Sequence, residues 1–162
     1  MKYRIRAYAD SDVETLHELT LAAITTIGLA GYSRAQVNAW AGRHDSAERL
    51  RERVRSGHMV FVAVDTDDKA AAYALLEPDG HLDMLYCHPD HTRQGLADGL
   101  LRAAEDQALI CGLAKLYTEA SALARPSFER AGYVVTKRRD FTIDHDGQSV
   151  PIHNYAMEKS LP

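Results

Sequence analysis

The residues with the clearest chemical potential lie where a predicted strand gives way to a predicted helix, in the stretch Thr92-Arg93-Gln94-Gly95-Leu96-Ala97. The first N–H groups of a helix have no partner within it, and the helix dipole makes that end electropositive. Gly95 and Ala97 let an anionic ligand approach the backbone, and Arg93 can pair with phosphate oxygens. The junction therefore predicts a pyrophosphate site, although a tight turn at Gly95 and a close helix–sheet contact at Gly99 also explain the glycines.

A thiol and two imidazoles, from Cys87, His88 and His91, precede this junction. Such groups can bind zinc, and a cysteine beside a histidine can act as a nucleophile. The sequence around them offers no fourth zinc ligand at a recognisable spacing. A strand cysteine followed by two loop histidines is therefore favoured, and no metal site is predicted.

A pyrophosphate site is also compatible with a nucleotide ligand unrelated to CoA. The junction has neither the Gly-x-Gly-x-x-Gly pattern of dinucleotide-binding folds nor the Gly-Lys-Ser/Thr of a P-loop. The nucleotide hypothesis is therefore the weaker one.

The composition is that of one ordinary globular domain. Of the 162 residues, 46% are hydrophobic and 26% are charged, and the formal net charge is −4. We therefore predict a single domain over residues 1–162, with no electrostatic reason to expect a nucleic-acid or anionic-membrane partner. The N-terminus lacks the apolar core of a secretory signal, and no apolar run approaches the roughly 20 residues that span a bilayer. Together with only two cysteines, these features predict a cytoplasmic protein.

Hydrophobic periodicity and turn signals predict the elements that position the junction. A strand over 2–8 is followed by helices that begin near Ser11, Ser33 and Ser46, each a candidate N-cap. After these helices we predict strands over 59–65, 70–76 and 81–87, a helix over 95–111, a strand over 115–120, a short helix over 126–131, and strands over 133–143 and 150–157. The change from a meander to strand–helix–strand predicts an α/β (α+β) fold, a mixed sheet with helices on both faces.

The junction resembles the GNAT superfamily of N-acetyltransferases, in which Gln/Arg-x-x-Gly-x-Gly/Ala follows the fourth strand and holds the CoA pyrophosphate. Here Gly95 and Ala97 fill the two small-residue positions, whereas Thr92 replaces the first residue and Arg93 can supply the missing charge. The CoA contacts that this resemblance implies at the helix start are Thr92, Arg93, Gln94, Gly95, Leu96, Ala97 and Asp98.

The resemblance also implies a mostly antiparallel sheet of about seven strands, in which the strand before the junction is splayed from its neighbour by a bulge. The backbone groups of Leu85, Tyr86 and Cys87 would then be open to the pantetheine arm of acetyl-CoA. A backbone N–H there could polarise the thioester carbonyl as negative charge develops on its oxygen.

A second match spans residues 121–133 and looks like the family segment Asn-x-x-Ala...Phe-Tyr-x-x-x-Gly-Phe. Ser121 stands at the Asn position, and Gly132-Tyr133 closes the segment. Phe128 stands where the family commonly has the tyrosine that protonates the CoA thiolate, and a phenylalanine has no proton to give. The resemblance implies cofactor contacts at Ser121 and Phe128 and covers residues 58–135 most closely.

Acyl transfer to an amine needs a base for the amine and a proton for the departing thiolate. Glu119, near the end of the strand beside the cofactor, is the first candidate base, and Asp83 is the alternative. Tyr133 and Tyr155 are the candidate acids, with Ser127 and water as further alternatives. Water suffices in principle because a thiol with a pKa of ~8.5 is a fair leaving group near neutral pH.

Two hypotheses about function follow. The first is an N-acetyltransferase that moves an acetyl or short acyl group from acetyl-CoA directly to a primary amine of a small molecule or protein. The second is a non-catalytic acyl-CoA-binding regulatory module, which Phe128 and Thr92 keep open. Tyr32 and Trp40 could form one wall of an acceptor pocket or pack in the core, and the sequence leaves open the acceptor and the choice between monomer and homodimer.

Overall fold

The computed structural model describes residues 2–162, which form seven strands and five α-helices. In chain order these are β1 (Arg4–Ala7), α1 (Val13–Ala22), α2 (Arg34–Gly42), α3 (Ala47–Arg55), β2 (Met59–Val64), β3 (Ala70–Leu76), β4 (Leu82–Cys87), α4 (Leu96–Ile110), β5 (Lys115–Ala120), α5 (Arg125–Arg130), β6 (Val134–His145) and β7 (Gln148–Ser160). The predicted order of elements is confirmed, and the main differences are at the element boundaries.

The seven strands form two antiparallel sheets rather than one continuous sheet. The first has the order β1-β2-β3-β4 and the second the order β5-β7-β6. A single parallel bridge, between His81 and Tyr117, joins the sheets where β4 and β5 begin. Beyond that bridge the two strands diverge, so the sheet opens into a V toward Cys87 and Ala120. This is the splay that the resemblance implied.

The close approach at the base of the V depends on a glycine. Gly80 has a φ of +102°, and a Cβ atom added there would lie 2.5 Å from the carbonyl oxygen of Lys115. The N–H of Tyr117 donates to the carbonyl of Gly80, and the Thr118 hydroxyl donates to the carbonyl of Leu82. These contacts fix where the two strands meet.

Helices cover both faces of the four-stranded sheet, as predicted. On one face, Leu16 and Leu19 of α1 and Leu50 of α3 pack against Val62 and Tyr73. The opposite face carries small alanines on β2 and β3, against which Leu96 and Leu100 of α4 pack. Every residue of β3 is buried, which places this strand at the centre of the core.

Helix starts were predicted with mixed success. Ser33 caps α2 as expected, since its Oγ accepts from the Gln36 N–H and the Gln36 side chain accepts from the Ser33 N–H. The prediction at Ser11 was wrong, because Asp10–Asp12 form a 3-10 turn and the Asp12 carboxylate accepts from the Ala9 N–H. Ser46 precedes α3 without a capping hydrogen bond from its side chain.

The segment after α1 is irregular. Residues Ala23–Ile27 form a π-helical turn and Gly28–Ala30 a 3-10 turn. Such wide turns inside helices are frequent at functional sites. Here they carry the chain from α1 to Tyr32.

Within residues 2–162, none of the helices combines the length and the apolar character needed to cross a membrane.

Candidate functional site

A cleft of about 980 Å³ runs through the V between β4 and β5. One end reaches the start of α4, and the other is enclosed by the segment from α1 to α2 and by the β6–β7 hairpin. A cleft of this size and concavity is typical of a site for a small molecule or cofactor.

The start of α4 presents the backbone groups that a pyrophosphate needs. Gly95 is the N-cap with a φ of +77°, and Arg93 also has a left-handed φ of +62°. The first helical hydrogen bond runs from the Gly99 N–H to the Gly95 carbonyl. The N–H groups of Leu96, Ala97 and Asp98 therefore lack a helical acceptor and are free to bind an anion.

Nothing lies within 4 Å of the position that a Cβ atom would take at Gly95, so a ligand has space there. The cleft lining includes Thr92, Arg93, Gly95, Leu96, Ala97 and Asp98, but not Gln94. The Asp98 carboxylate is turned toward Arg130, at 3.2 Å, so the backbone of Asp98 is the part available to a ligand. The glycine at position 99 is explained by close helix–sheet packing, because a Cβ atom there would lie 3.0 Å from Ile5 Cδ1.

The predicted pantetheine strand is β4, and Leu85, Tyr86 and Cys87 all line the cleft. This strand pairs with β3 on one side, and on its other side only the bridge at His81 reaches β5. The edge of β4 that faces the gap is consequently left without a strand partner beyond the bridge. An extended ligand can pair with such an edge through its amide groups.

The segment after β5 closes the other side of the cleft. Ser121 accepts a hydrogen bond from the Ala124 N–H at 3.0 Å and starts the turn into α5. Phe128 lies on α5, 2% exposed, at the cleft wall. Its ring meets Tyr133 edge-on, with the ring centroids 5.0 Å apart.

A carboxylate and an imidazole meet at the base of the V. Glu119 Oε1 lies 2.8 Å from His81 Nε2, and His81 Nδ1 lies 2.7 Å from Glu77 Oε2. The His81 ring also stacks on Tyr117, with centroids 4.7 Å apart and planes 13° apart. Burial alone lowers the pKa of His81, but the hydrogen bond to Glu119 and the nearby carboxylates outweigh it and raise the pKa to about 9. The hydrogen bond from His81 in turn holds the pKa of Glu119 below its usual value.

An aromatic wall, formed by Tyr32, Trp40, His44 and Tyr86, encloses the end of the cleft away from α4. Trp40 Nε1 donates to the Tyr86 hydroxyl at 3.3 Å, and the Tyr86 hydroxyl lies 3.2 Å from His44 Nε2. Burial lowers the pKa of His44 to about 4, so this imidazole is neutral near pH 7. The wall therefore carries no charge of its own near neutral pH.

The comparisons with known proteins agree with this geometry. Residues 29–147 match the family model of the acetyltransferase (GNAT) domain. The curated N-acetyltransferase YafP of Escherichia coli (strain K12) is 31% identical over 136 residues, which are 84% of each chain. The chain belongs to the GNAT acetyltransferase family.

Solved structures extend the likeness over the whole chain of this acetyltransferase. A GCN5-related N-acetyltransferase from Rhodopseudomonas palustris is 30% identical with a TM-score of 0.86, covering 99% of this chain and 97% of its own. YncA from Salmonella typhimurium, solved with acetyl-CoA, is 19% identical with a TM-score of 0.75, covering 100% and 95%. Family membership makes the protein an acetyl-CoA-dependent N-acetyltransferase.

The three residues predicted to be catalytic lie in different environments. Glu119 lines the cleft, whereas Tyr133 and Tyr155 do not. The Tyr133 hydroxyl is buried without a hydrogen-bond partner among the described residues, and burial raises its pKa. The Tyr155 ring lies under the Arg125 guanidinium, 4.6 Å from its carbon.

Asp83, the alternative base, is already paired. Its Oδ2 lies 2.9 Å from Arg53 Nη2, and the same guanidinium nitrogen lies 3.1 Å from Glu77 Oε2. Glu77, His81 and Asp83 offer ligand atoms within 4.8 Å of one another, as a cation site would. The Arg53 guanidinium supplies positive charge to both carboxylates there.

The cysteine and histidines before the junction do not converge on one point. Cys87 Sγ approaches the carbonyls of His88 and His91, His88 Nδ1 accepts from the Asp90 N–H, and His91 Nδ1 bonds to the Tyr3 hydroxyl. Burial raises the pKa of Cys87 to about 11, so it is a thiol near neutral pH. These contacts support the interpretation of Cys87 as a strand cysteine and of His88 and His91 as loop histidines.

Sequence reasoning missed Arg53 and Arg139, which line the cleft, and His81, which contacts Glu119 from outside the lining. His81 was treated only as the start of a strand, although a histidine flanked by Glu77 and Asp83 is a signal for a charge cluster. Arg53 and Arg139 lie on α3 and β6, far from the junction in sequence, and no local pattern connects them to it.

Proposed function

We propose that this acetyltransferase binds acetyl-CoA along β4 and α4 and transfers the acetyl group directly to a primary amine held in the aromatic half of the cleft. The observation that carries the proposal is the V itself. It leads from free N–H groups at the start of α4, past the unpaired edge of β4, to Glu119. A phosphate site, a strand-like slot and a base thus lie along one cleft.

The donor would be held mainly by backbone groups. The pyrophosphate would bind the N–H groups of Leu96, Ala97 and Asp98, with Arg93 adding charge. The pantetheine amides would pair with the open edge of β4 at Leu85 and Cys87. This arrangement would place the thioester in the cleft between β4 and β5, where a backbone N–H can stabilise the negative charge that develops on its oxygen.

In the proposed step, the neutral amine nitrogen attacks the carbonyl carbon of the thioester. A nitrogen–carbon bond forms, the carbon–sulfur bond breaks, and CoA leaves as a thiolate. Glu119 accepts the proton that the attacking amine gives up, directly or through a water molecule. The proton that completes the CoA thiol comes from water or from Ser127, which lines the cleft, whereas Tyr133 and Tyr155 do not.

His81 is proposed as a positioning residue for this base. Its two ring nitrogens hold Glu119 on one side and Glu77 on the other. The contacts fix the Glu119 carboxylate at the base of the V and keep it ionised.

We also propose that the protein works in the cytoplasm. Both cysteines are free thiols, and Cys111 is exposed, which suits a reducing compartment. The proposed reaction needs acetyl-CoA and an amine and calls on no nucleic acid, membrane or metal.

The test is a steady-state assay of CoA thiol release from acetyl-CoA with a panel of amines, comparing Glu119→Gln with the unaltered chain. We expect kcat to fall about 100-fold or more in the variant, with unchanged affinity for CoA. Glu158→Gln is the matched control, because Glu158 is also an acid on the second sheet but lies outside the cleft and pairs with Lys115. A Glu119→Gln enzyme that keeps its kcat would remove Glu119 from the mechanism.

A further inference from the structure

The charges that line the cleft are unevenly compensated. Three of its carboxylates already have cationic partners within 3.3 Å: Asp83 with Arg53, Glu119 with His81, and Asp98 with Arg130. Glu52, exposed on α3, is the remaining acid of the lining. These pairings leave little uncompensated negative charge in the cleft with which to bind a cationic group of a ligand.

Two arginines at the acceptor end of the lining have no such compensation, and Arg93 at the start of α4 also has no carboxylate partner among residues 2–162. Arg139 on β6 is half-buried and Arg43 follows α2, and neither has a carboxylate within 4.0 Å among residues 2–162. Both guanidinium groups lie over the Phe141 ring, with their carbons 5.3 Å and 5.6 Å from its centroid. One aromatic ring thus holds two uncompensated cations at the acceptor half of the cleft.

The Arg139 guanidinium makes one hydrogen bond within the protein and keeps further N–H donors free. Nη1 donates to Asn154 Oδ1 at 3.1 Å, which fixes the plane of the group. Among the described residues, Nε and Nη2 of Arg139 have no acceptor. These two nitrogens form one side of the planar fork that matches the two oxygens of a carboxylate.

Strand register places Arg139 on the same face as Glu119. Arg139 is opposite Asn154 across β6 and β7, and Glu119 is opposite Ala156 across β5 and β7. Two residues along one strand return to the same face, and two strand spacings separate β6 from β5, so the Cα atoms are about 12 Å apart. The positive charge of Arg139 also contributes to the low pKa of Glu119. Two long side chains can converge across this distance on a small molecule.

We infer that the acceptor is an amine that also carries a carboxylate, with the size of an α-amino acid, and that Arg139 binds this carboxylate while Glu119 receives the amine proton. The inference rests on the proposed function, because it assigns the acceptor for that same reaction. Arg43 adds a second positive charge beside the carboxylate. The apolar part of the acceptor lies against Tyr32 and Trp40, which supply an uncharged surface.

The experiment uses the full chain with acetyl-CoA and the common L-amino acids, each paired with its own carboxamide. The two members of a pair share the side chain and the α-amine and differ at the carboxylate. We expect kcat/KM to be at least tenfold higher for the acid than for the amide of each accepted side chain, at a pH where both amines are mostly neutral. Arg139→Gln is expected to remove most of this preference by raising KM for the acid, with little change for the amide.

Two further variants make the outcome decisive. Arg138→Gln is the matched control, because its neighbour Arg138 is exposed, pairs with Asp140 and lies outside the cleft, so the preference should persist. Arg139→Lys keeps the positive charge but loses the two parallel N–H donors, so it should retain part of the preference for the acid. Equal turnover of acids and amides, a preference that survives in Arg139→Gln, or turnover of neither series by an enzyme that acetylates other amines overturns the inference. Absence of turnover with every amine, despite bound CoA, instead overturns the proposed function.

Discussion

Replacing His81 with phenylalanine tests the charge cluster at the base of the V. The variant keeps a ring to stack on Tyr117 but loses both nitrogens, and with them the hydrogen bonds to Glu77 and Glu119 at 2.7 and 2.8 Å. Hydrogen bonds to charged groups contribute about 1.5–3 kcal/mol each, and the partial exposure of both carboxylates reduces that contribution. We therefore expect a loss of about 2–4 kcal/mol in the free energy of unfolding at pH 6.

The loss should depend on pH in a defined direction. The pKa of His81 rises from 6.5 in the unfolded chain to about 9 in the folded protein. A raised pKa stabilises the fold fully below pH 6.5, and this stabilisation disappears as the pH passes through about 9. The full shift in pKa corresponds to about 3 kcal/mol, and solvent screening at this partly exposed group reduces it, so the stability difference between the unaltered chain and His81→Phe should shrink by about 2 kcal/mol between pH 6 and pH 10.

Urea unfolding at pH 6, 8 and 10, followed by circular dichroism, measures this difference. His145→Phe is a suitable control, because His145 has one ion pair at 3.5 Å with an exposed aspartate at the tip of the β6–β7 hairpin. That change should cost under about 0.5 kcal/mol at each pH. A His81→Phe difference that stays constant or grows from pH 6 to pH 10 would refute the proposed ionic role of His81.

Two further predictions concern the donor site and the general acid. Gly95→Glu should raise the Kd for CoA at least tenfold in a calorimetric titration, because it places bulk and negative charge at the pyrophosphate site. Gly112→Glu introduces the same side chain at a similar φ of +73° at the far end of α4 and should leave that Kd unchanged. Equal affinities in the two variants would move the phosphate site away from Gly95. Tyr133→Phe should raise the free energy of unfolding by about 1 kcal/mol, because it removes a buried hydroxyl without a partner, and should leave kcat unchanged. A tenfold fall in kcat would instead assign Tyr133 a part in proton transfer.

Most of the fold could be predicted because its signals are local. The glycine and proline turns, the Ser33 cap and the apolar spacing of α4 each depend on a few neighbouring residues. The hairpin turn at Asp146 and Gly147, both with positive φ, is an example that the sequence predicted directly. At Ser11 the local signal failed, because Asp12 binds Arg6 at 2.7 Å and the Ala9 N–H, and it therefore shapes the turn.

The candidate site could be predicted only in part. The CoA end depends on one continuous segment, 92–98, and a helix start provides its chemistry whatever the fold around it. The acceptor half is assembled from α2, β6 and β7, so the approach of Arg139 to Glu119 follows from strand register, which no single segment encodes. Tyr133 and Tyr155 were chosen as acids by chemical type, but the direction in which each side chain points is set by the packing of α5 and β7.

The most direct measurement combines amine-dependent release of CoA from acetyl-CoA with the intact mass of the enzyme during turnover. Direct transfer predicts that CoA release requires the amine, that an N-acetylated amine accumulates in equal amount, and that the protein mass never increases by an acetyl group. An acetylated enzyme at Cys87, or bound acetyl-CoA that no primary amine can discharge, would contradict the account.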